Sequence, residues 1–92
     1  MRAFHVPDEL VRELRVYPPE IKRKIRQALD EIRTDPSGKL LEDELAGLQS
    51  RRVGRYRIVY RVMATHIDIV TIGDRETIYL EAARLVSRRR PS

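Results

Sequence analysis

The chain has 92 residues, enough for one hydrophobic core and too few for two that would each suffice. It has no cysteine and only two histidines, far apart in sequence. This excludes a disulfide framework, thiolate chemistry and a histidine-based metal site, so no cofactor is expected, with a carboxylate-bound Mg²⁺ the one metal option left open. The net charge of +5 owes three charges to Arg88, Arg89 and Arg90, leaving residues 1–87 with 16 basic against 14 acidic side chains, or +2. No apolar run approaches the roughly 20 residues that span a bilayer, and the opening Met1–His5 lacks the apolar core of a signal peptide. A cytoplasmic protein without a membrane partner is the expectation.

In chain order, residues 2–6 suit a short strand ended by Pro7. Asp8 is a fair helix N-cap, with Leu10, Val11 and Leu14 giving a short apolar stripe as far as about Tyr17. Pro18–Pro19 breaks the chain, and Pro19 suits the first position of a second helix, with Glu20 complementing its dipole. Ile21, Ile25, Ala28, Leu29 and Ile32 then repeat at helical spacing, the strongest amphipathic signal in the sequence. Its other face, Lys22, Arg23, Lys24, Arg26 and Gln27, reads as solvated. Thr34–Gly38 stops this helix, since the residue before Pro36 is pushed out of the helical region. Residues 40–49 are ambiguous: Leu40, Leu41, Leu45 and Leu48 fit either a helical turn or an irregular packed segment.

Strands are predicted at about Ser50–Val53 and Tyr56–Met63, antiparallel about a tight turn near Gly54–Arg55. Ala64–His66 connects into Ile67–Ile72, whose near-continuous β-branched run suits a strand covered on both faces. Gly73 closes it, and Asp74 opens a last helix with Ile78, Tyr79, Ala82, Ala83 and Val86 buried. The predicted class is α+β: a small antiparallel sheet with two N-terminal helices packed on one face and a C-terminal helix. Residues 1–87 form a single domain and 88–92 a basic tail.

Residues 51–61 hold five arginines and no acid, yet still read as strand. Alternation puts Tyr56, Ile58, Tyr60 and Val62 on one face and Arg57, Val59 and Arg61 on the other. One face enters a core while the other keeps guanidinium groups on the partly open side of the sheet. The acidic run Glu42–Glu44 just upstream segregates the charge further. The bland alternative is a solvated face with ion pairs to Asp68 or Glu76; an anionic partner fits the acid-free row better.

Leu45-Ala46-Gly47-Leu48, then Arg52-Val53-Gly54-Arg55-Tyr56-Arg57-Ile58-Val59-Tyr60, then Ile72-Gly73-Asp74-Arg75 with Tyr79, resembles the RelE/ParE superfamily of toxins from type II toxin-antitoxin systems. The resemblance implies a toxin neutralised by a cognate antitoxin which, in the RelE branch, enters the ribosome and cleaves mRNA. Carried over by position, Arg57 looks like the arginine holding the scissile phosphate, Arg75 like a second catalytic arginine and Tyr79 like the tyrosine late in the fold. Arg52 matches a basic position usual in the family, and Arg51, Arg55 and Arg61 are candidate RNA or antitoxin contacts. Ser50 and Arg51 stand near where some relatives have active-site lysines, which are absent here.

RNA cleavage through the 2′-OH requires removing that proton, stabilising the phosphorane and protonating the 5′ oxygen. Two arginines suit the second task, but a guanidinium with a pKa above about 12 transfers protons poorly. Asp74 stands where many relatives have histidine; it reads either as a base or as a helix cap. His5 and His66 read as structural or surface residues. A ParE-like inhibitor of DNA gyrase without nuclease activity, a catalytically inert antitoxin-binding member and a nucleic-acid-binding module outside such a system are the alternatives.

Overall fold

In the computed structural model, which describes residues 3–42 and 45–89, five strands form one sheet in the order β1-β5-β4-β3-β2. The strands are β1 (Ala3–His5), β2 (Lys39–Leu40), β3 (Gln49–Val53), β4 (Tyr56–Val62) and β5 (His66–Asp74). The helices are α1 (Asp8–Leu14), α2 (Pro19–Thr34) and α3 (Ile78–Arg89). Arg2 of the expected first strand, Asp43 and Glu44 of the acidic run, and Arg90 of the tail lie outside the described residues. No helix among the described residues is long and apolar enough to cross a membrane.

The sheet is antiparallel except at its edge, where β1 runs parallel to β5. A parallel partner needs a crossover, and the α1–α2 pair supplies it. The α+β class therefore stands, with one parallel pair that the expected all-antiparallel sheet lacked. Pro19 begins α2 as expected, Ile25, Ala28 and Ile32 are its buried stripe, and Asp35, before Pro36, ends it in an extended conformation. Asp8 does not cap α1: Pro7 holds the cap position, Asp8 sits in the first turn, and the helix ends at Leu14 rather than near Tyr17. Tyr17 turns back to pack on Tyr56, ring centroids 5.4 Å apart.

Two apolar clusters lie on opposite faces of the sheet. Leu10, Ile25, Ala28 and Ile32 from the helix pair meet Ile58, Tyr60, Ile67, Ile69 and Ile72. Burying each such large aliphatic side chain contributes roughly 1.5–3 kcal/mol before ordering costs. On the other face Leu48, Val59 and Val70 are covered by Ile78 and Ala82 of α3. The covering of β5 on both faces follows from an irregularity: Val59 pairs with Thr71 but Tyr60 with Ile69, so β5 carries one extra residue there. That bulge shifts the alternation, which lets Ile69 and Ile72 face the same core while Val70 faces α3. Gly73 does not close the strand, because β5 runs through it to Asp74. The helix α3 extends to Arg89, into the segment the sequence suggested as tail.

The ambiguous stretch resolves into a short edge strand and turns. Lys39 and Leu40 pair with Ser50 and Gln49 as β2, and Leu48 is fully buried. Gly47, at φ 90°, adopts a conformation that side-chain-bearing residues rarely hold.

Candidate functional site

The β3–β4 hairpin pairs Arg52 with Arg57 and Val53 with Tyr56, leaving Gly54–Arg55 as a two-residue loop in which Gly54 takes φ 60°. Arg52 and Arg57 thus become neighbours on the face toward α3. Directly across β4, Arg57 is paired with Gly73, where a Cβ would stand 3.3 Å from the Ile78 side chain. The glycine lets the start of α3 seat closely on β5, and the next residue of that helix, Tyr79, comes down beside β3.

There the side chains converge. An Arg57 N–H donates to Ser50 Oγ at 3.2 Å, and the same Oγ shares a hydrogen bond with the Tyr79 hydroxyl at 3.2 Å. Ser50 is 1 % exposed, whereas Arg57 and Tyr79 are half-buried. Buried serine thus holds two functional groups that both reach solvent. A guanidinium has five N–H donors, and Arg57 meets no carboxylate among the described residues, so it keeps donors and its full charge for an anion. Lys39, paired with Ser50 across β2–β3, brings its ammonium 6.0 Å from the Tyr79 ring centroid.

Beside this group lies a cleft of about 230 Å³ lined by Arg52, Arg55, Asp74, Arg75 and Glu76. The hairpin loop shapes it: the Arg75 amide donates to the Arg55 carbonyl at 3.1 Å, and Arg52 Nε donates to the Gly54 carbonyl at 3.0 Å. Asp74 is not the cap of α3, which begins four residues later. Its Oδ1 accepts from the Glu76 amide at 2.8 Å, and its Oδ2 lies 4.0 Å from Arg55 Nε. An aspartate that closes its own turn in this way is a structural use of the carboxylate.

The structure therefore gathers Arg57, Tyr79, Arg52, Arg55, Arg75 and Asp74 at one end of the sheet. Two arginines of the row lie elsewhere. Arg61 sits farther along β4, opposite Asp68. Arg51 points to the α2 face, where it bridges to Glu31 at 3.4 Å and donates to the carbonyls of Asp35 at 3.0 Å and Ser37 at 2.8 Å. This is the role of a loop fastener. Tyr60, fully buried, adds a bond from its hydroxyl to the Pro36 carbonyl at 2.8 Å. Burial pushes the Tyr60 phenol above its ordinary range, partly offset by Arg51. The Asp35 carboxyl lies below its ordinary range because the Ser37 hydroxyl and amide bond it.

Sequence reasoning did not assign functional places to Ser50 and Lys39. Ser50 carries a local signal, being in phase with Arg52 on β3. Lys39 carries none, since its position depends on β2, which the leucine pattern leaves open. The two histidines, distant in sequence, meet in space: His5 Nδ1 and His66 Nε2 lie 3.2 and 3.3 Å from the same Asp68 Oδ1. This ties β1 to β5 away from the site. Among the described residues no group of three or more His, Cys, Asp and Glu is arranged to hold a metal ion.

Residues 8–79 match the family model described as the ParE toxin of the type II toxin-antitoxin system parDE. Among solved structures, the RelBE2 toxin-antitoxin complex from Mycobacterium tuberculosis is similar at TM-score 0.71 and 30% identity, covering 80% of this chain and 98% of that one. A mutant of the E. coli toxin RelE in the free state has TM-score 0.74 at 18% identity, covering 90% and 95% of the two chains. The archaeal RelE–RelB complex from Pyrococcus horikoshii has TM-score 0.66 at 22% identity, covering 80% and 94%. The likeness to these last two is one of fold. Among curated proteins none matches.

Proposed function

We propose that this chain, which belongs to the ParE toxin family and is the toxin of a type II toxin-antitoxin system, acts as a ribosome-associated endonuclease on mRNA and is neutralised by a cognate antitoxin. The observation that carries this reading is Arg57, half-buried, free of carboxylates among the described residues and held by Ser50 against Tyr79. Such an arginine is pre-set for a phosphate, and its fork matches two phosphate oxygens.

In this reaction the RNA 2′-oxygen attacks phosphorus while the bond to the 5′ oxygen breaks, giving a 2′,3′-cyclic phosphate and a free 5′-hydroxyl. Arg57 faces the phosphorane from the sheet, and Arg75 faces it from the cleft. Preorganised charge of this kind costs no reorganisation during the reaction. The Tyr79 hydroxyl, which both donates and accepts and is held from behind by the buried Ser50 hydroxyl, suits passing the proton from the 2′-hydroxyl toward the leaving oxygen. Asp74, engaged with Glu76 and Arg55, is the reserve acceptor. The reaction needs no metal in its balance. Antitoxin binding is supported by similar structures that are themselves toxin-antitoxin complexes.

Mapping RNA ends after induced expression tests the reading. Cleavage within translated messages, lost in Arg57→Ala with Arg75→Ala, is expected. A second reading, inhibition of DNA gyrase, is favoured by the ParE identity of the matching model and by Asp74 at the position where many RelE-like relatives have histidine. Intact transcripts together with stalled gyrase during growth arrest would replace the first reading by the second.

A further inference from the structure

A second cleft, of about 330 Å³, opens on the other side of Tyr79 and is lined by Lys39, Leu40, Leu41, Glu42, Leu45 and Tyr79. Its volume falls in the range of about 300–1,000 Å³ typical of small-molecule sites. Leu40, 71% exposed, is part of its lining, and the Lys39 ammonium stands 6.0 Å from the Tyr79 ring centroid. Lys39 is its one cation, and Glu42 is a carboxylate on the rim.

This cleft is held in place from behind. Arg51 and the Tyr60 hydroxyl together bond the carbonyls of Asp35, Pro36 and Ser37, and Gly38 then passes so close to β3 that a Cβ would stand 2.8 Å from the Ser50 carbonyl. Three bonds and one close approach thus fix the register in which Lys39 lies opposite Ser50. A two-residue edge strand would otherwise have little to hold it.

We propose that this cleft is a subsite for the nucleotide adjoining the scissile phosphate, in which Lys39 binds that nucleotide's own phosphate and the leucines give its base an apolar wall. The inference rests on the nuclease reading above and extends it by one nucleotide. Continuity argues for RNA as occupant: Tyr79 is at once a partner of Ser50 in the phosphate site and a wall of the cleft, so a strand held at Arg57 runs directly into it. The charge order agrees, with Arg57 and Lys39 on either side of Tyr79. A compact ammonium serves as a point contact to a phosphate. Glu42 on the rim is an acceptor for an exocyclic amino group of the base.

The test uses the full chain and a fluorescent oligoribonucleotide made uncleavable by 2′-O-methylation at the cut position, free and on programmed ribosomes. Binding is followed between about 50 and 200 mM salt. Losing one single-strand phosphate contact lowers the slope of log affinity against log salt by about 0.7. Lys39→Gln is expected to show that reduction with a roughly five- to tenfold weaker affinity, Lys39→Arg to restore the slope, and Lys24→Gln on the exposed face of α2 to leave both unchanged. An unchanged slope in Lys39→Gln, with a reduced slope in Arg57→Ala, overturns the subsite and leaves the nuclease reading. Unchanged slopes in both, or no binding by the unaltered protein, overturn the two together. Weakened antitoxin binding in Lys39→Gln with RNA binding intact assigns the cleft to the protein partner and overturns the proposal.

Discussion

Replacing Gly38 with alanine puts a methyl group onto the Tyr60 hydroxyl and 2.8 Å from the Ser50 carbonyl, a backbone atom of β3. Neither neighbour gives easily, because the Tyr60 hydroxyl is buried and bonded to Pro36 and the carbonyl belongs to the sheet. Overpacking of this kind costs about 1–3 kcal/mol, and the stiffer unfolded chain returns about 0.4–1 kcal/mol. A net loss of about 1–2 kcal/mol is expected. Tyr60→Phe alone removes one hydrogen bond, worth about 0.5–1.5 kcal/mol. In the double variant the hydroxyl that met the methyl is gone, so the losses do not add. The shortfall is expected to be about 1 kcal/mol, within the range seen for contacting residues. Urea unfolding at constant slope measures all four proteins, and each 1 kcal/mol corresponds to roughly 4–8 °C in Tm for a domain of this size. Additivity within about 0.5 kcal/mol would refute the argument, since it would mean that the methyl never meets the hydroxyl.

Arg51→Gln should destabilise the protein by about 1–2 kcal/mol through the lost carbonyl bonds of the 35–37 loop, with the RNA salt slope changed only as far as Lys39 is misplaced; calorimetry beside the binding assay separates the two effects. Ser50→Ala should lower cleavage at saturating ribosomes by roughly tenfold or more, because Arg57 and Tyr79 lose their common partner, and single-turnover kinetics reads this as a fall in rate rather than in affinity. On the alkaline side, burial first of all raises both the Tyr17 and the Tyr60 phenols. A raised folded value means that the stabilisation is complete below the unfolded value of about 10 and is lost as pH climbs through the folded one. Stability should therefore fall above about pH 10, and less steeply in Tyr60→Phe, as urea midpoints across pH would show. At the acid end, the Ser37 bonds depress Asp35. Its contribution is present above the unfolded value of about 3.9 and is lost as pH falls through the folded one; Asp35→Asn should remove that part of the acid limb.

Much of this molecule is local information. The stripe of α2, the hairpin about Gly54 and the alternation of β4 each depend on neighbours a few positions apart, and a helix period or a strand period survives in the sequence as written. The arginine row was legible for the same reason, and so was its division from the apolar face. What the sequence left open depends on contacts between distant segments. Nothing near Lys39 says that it pairs with Ser50, because that register is set by Arg51, Tyr60 and Gly38 together. The bulge beside Val59 puts Val70 and Ile72, two positions apart, on opposite faces, and only a packed sheet with helices on both sides can demand it. Arg51 and Arg57 look alike in sequence, six positions apart on one hairpin. Strand pairing sends one behind the sheet to fasten a loop and leaves the other in front, half-buried and without a carboxylate partner among the described residues.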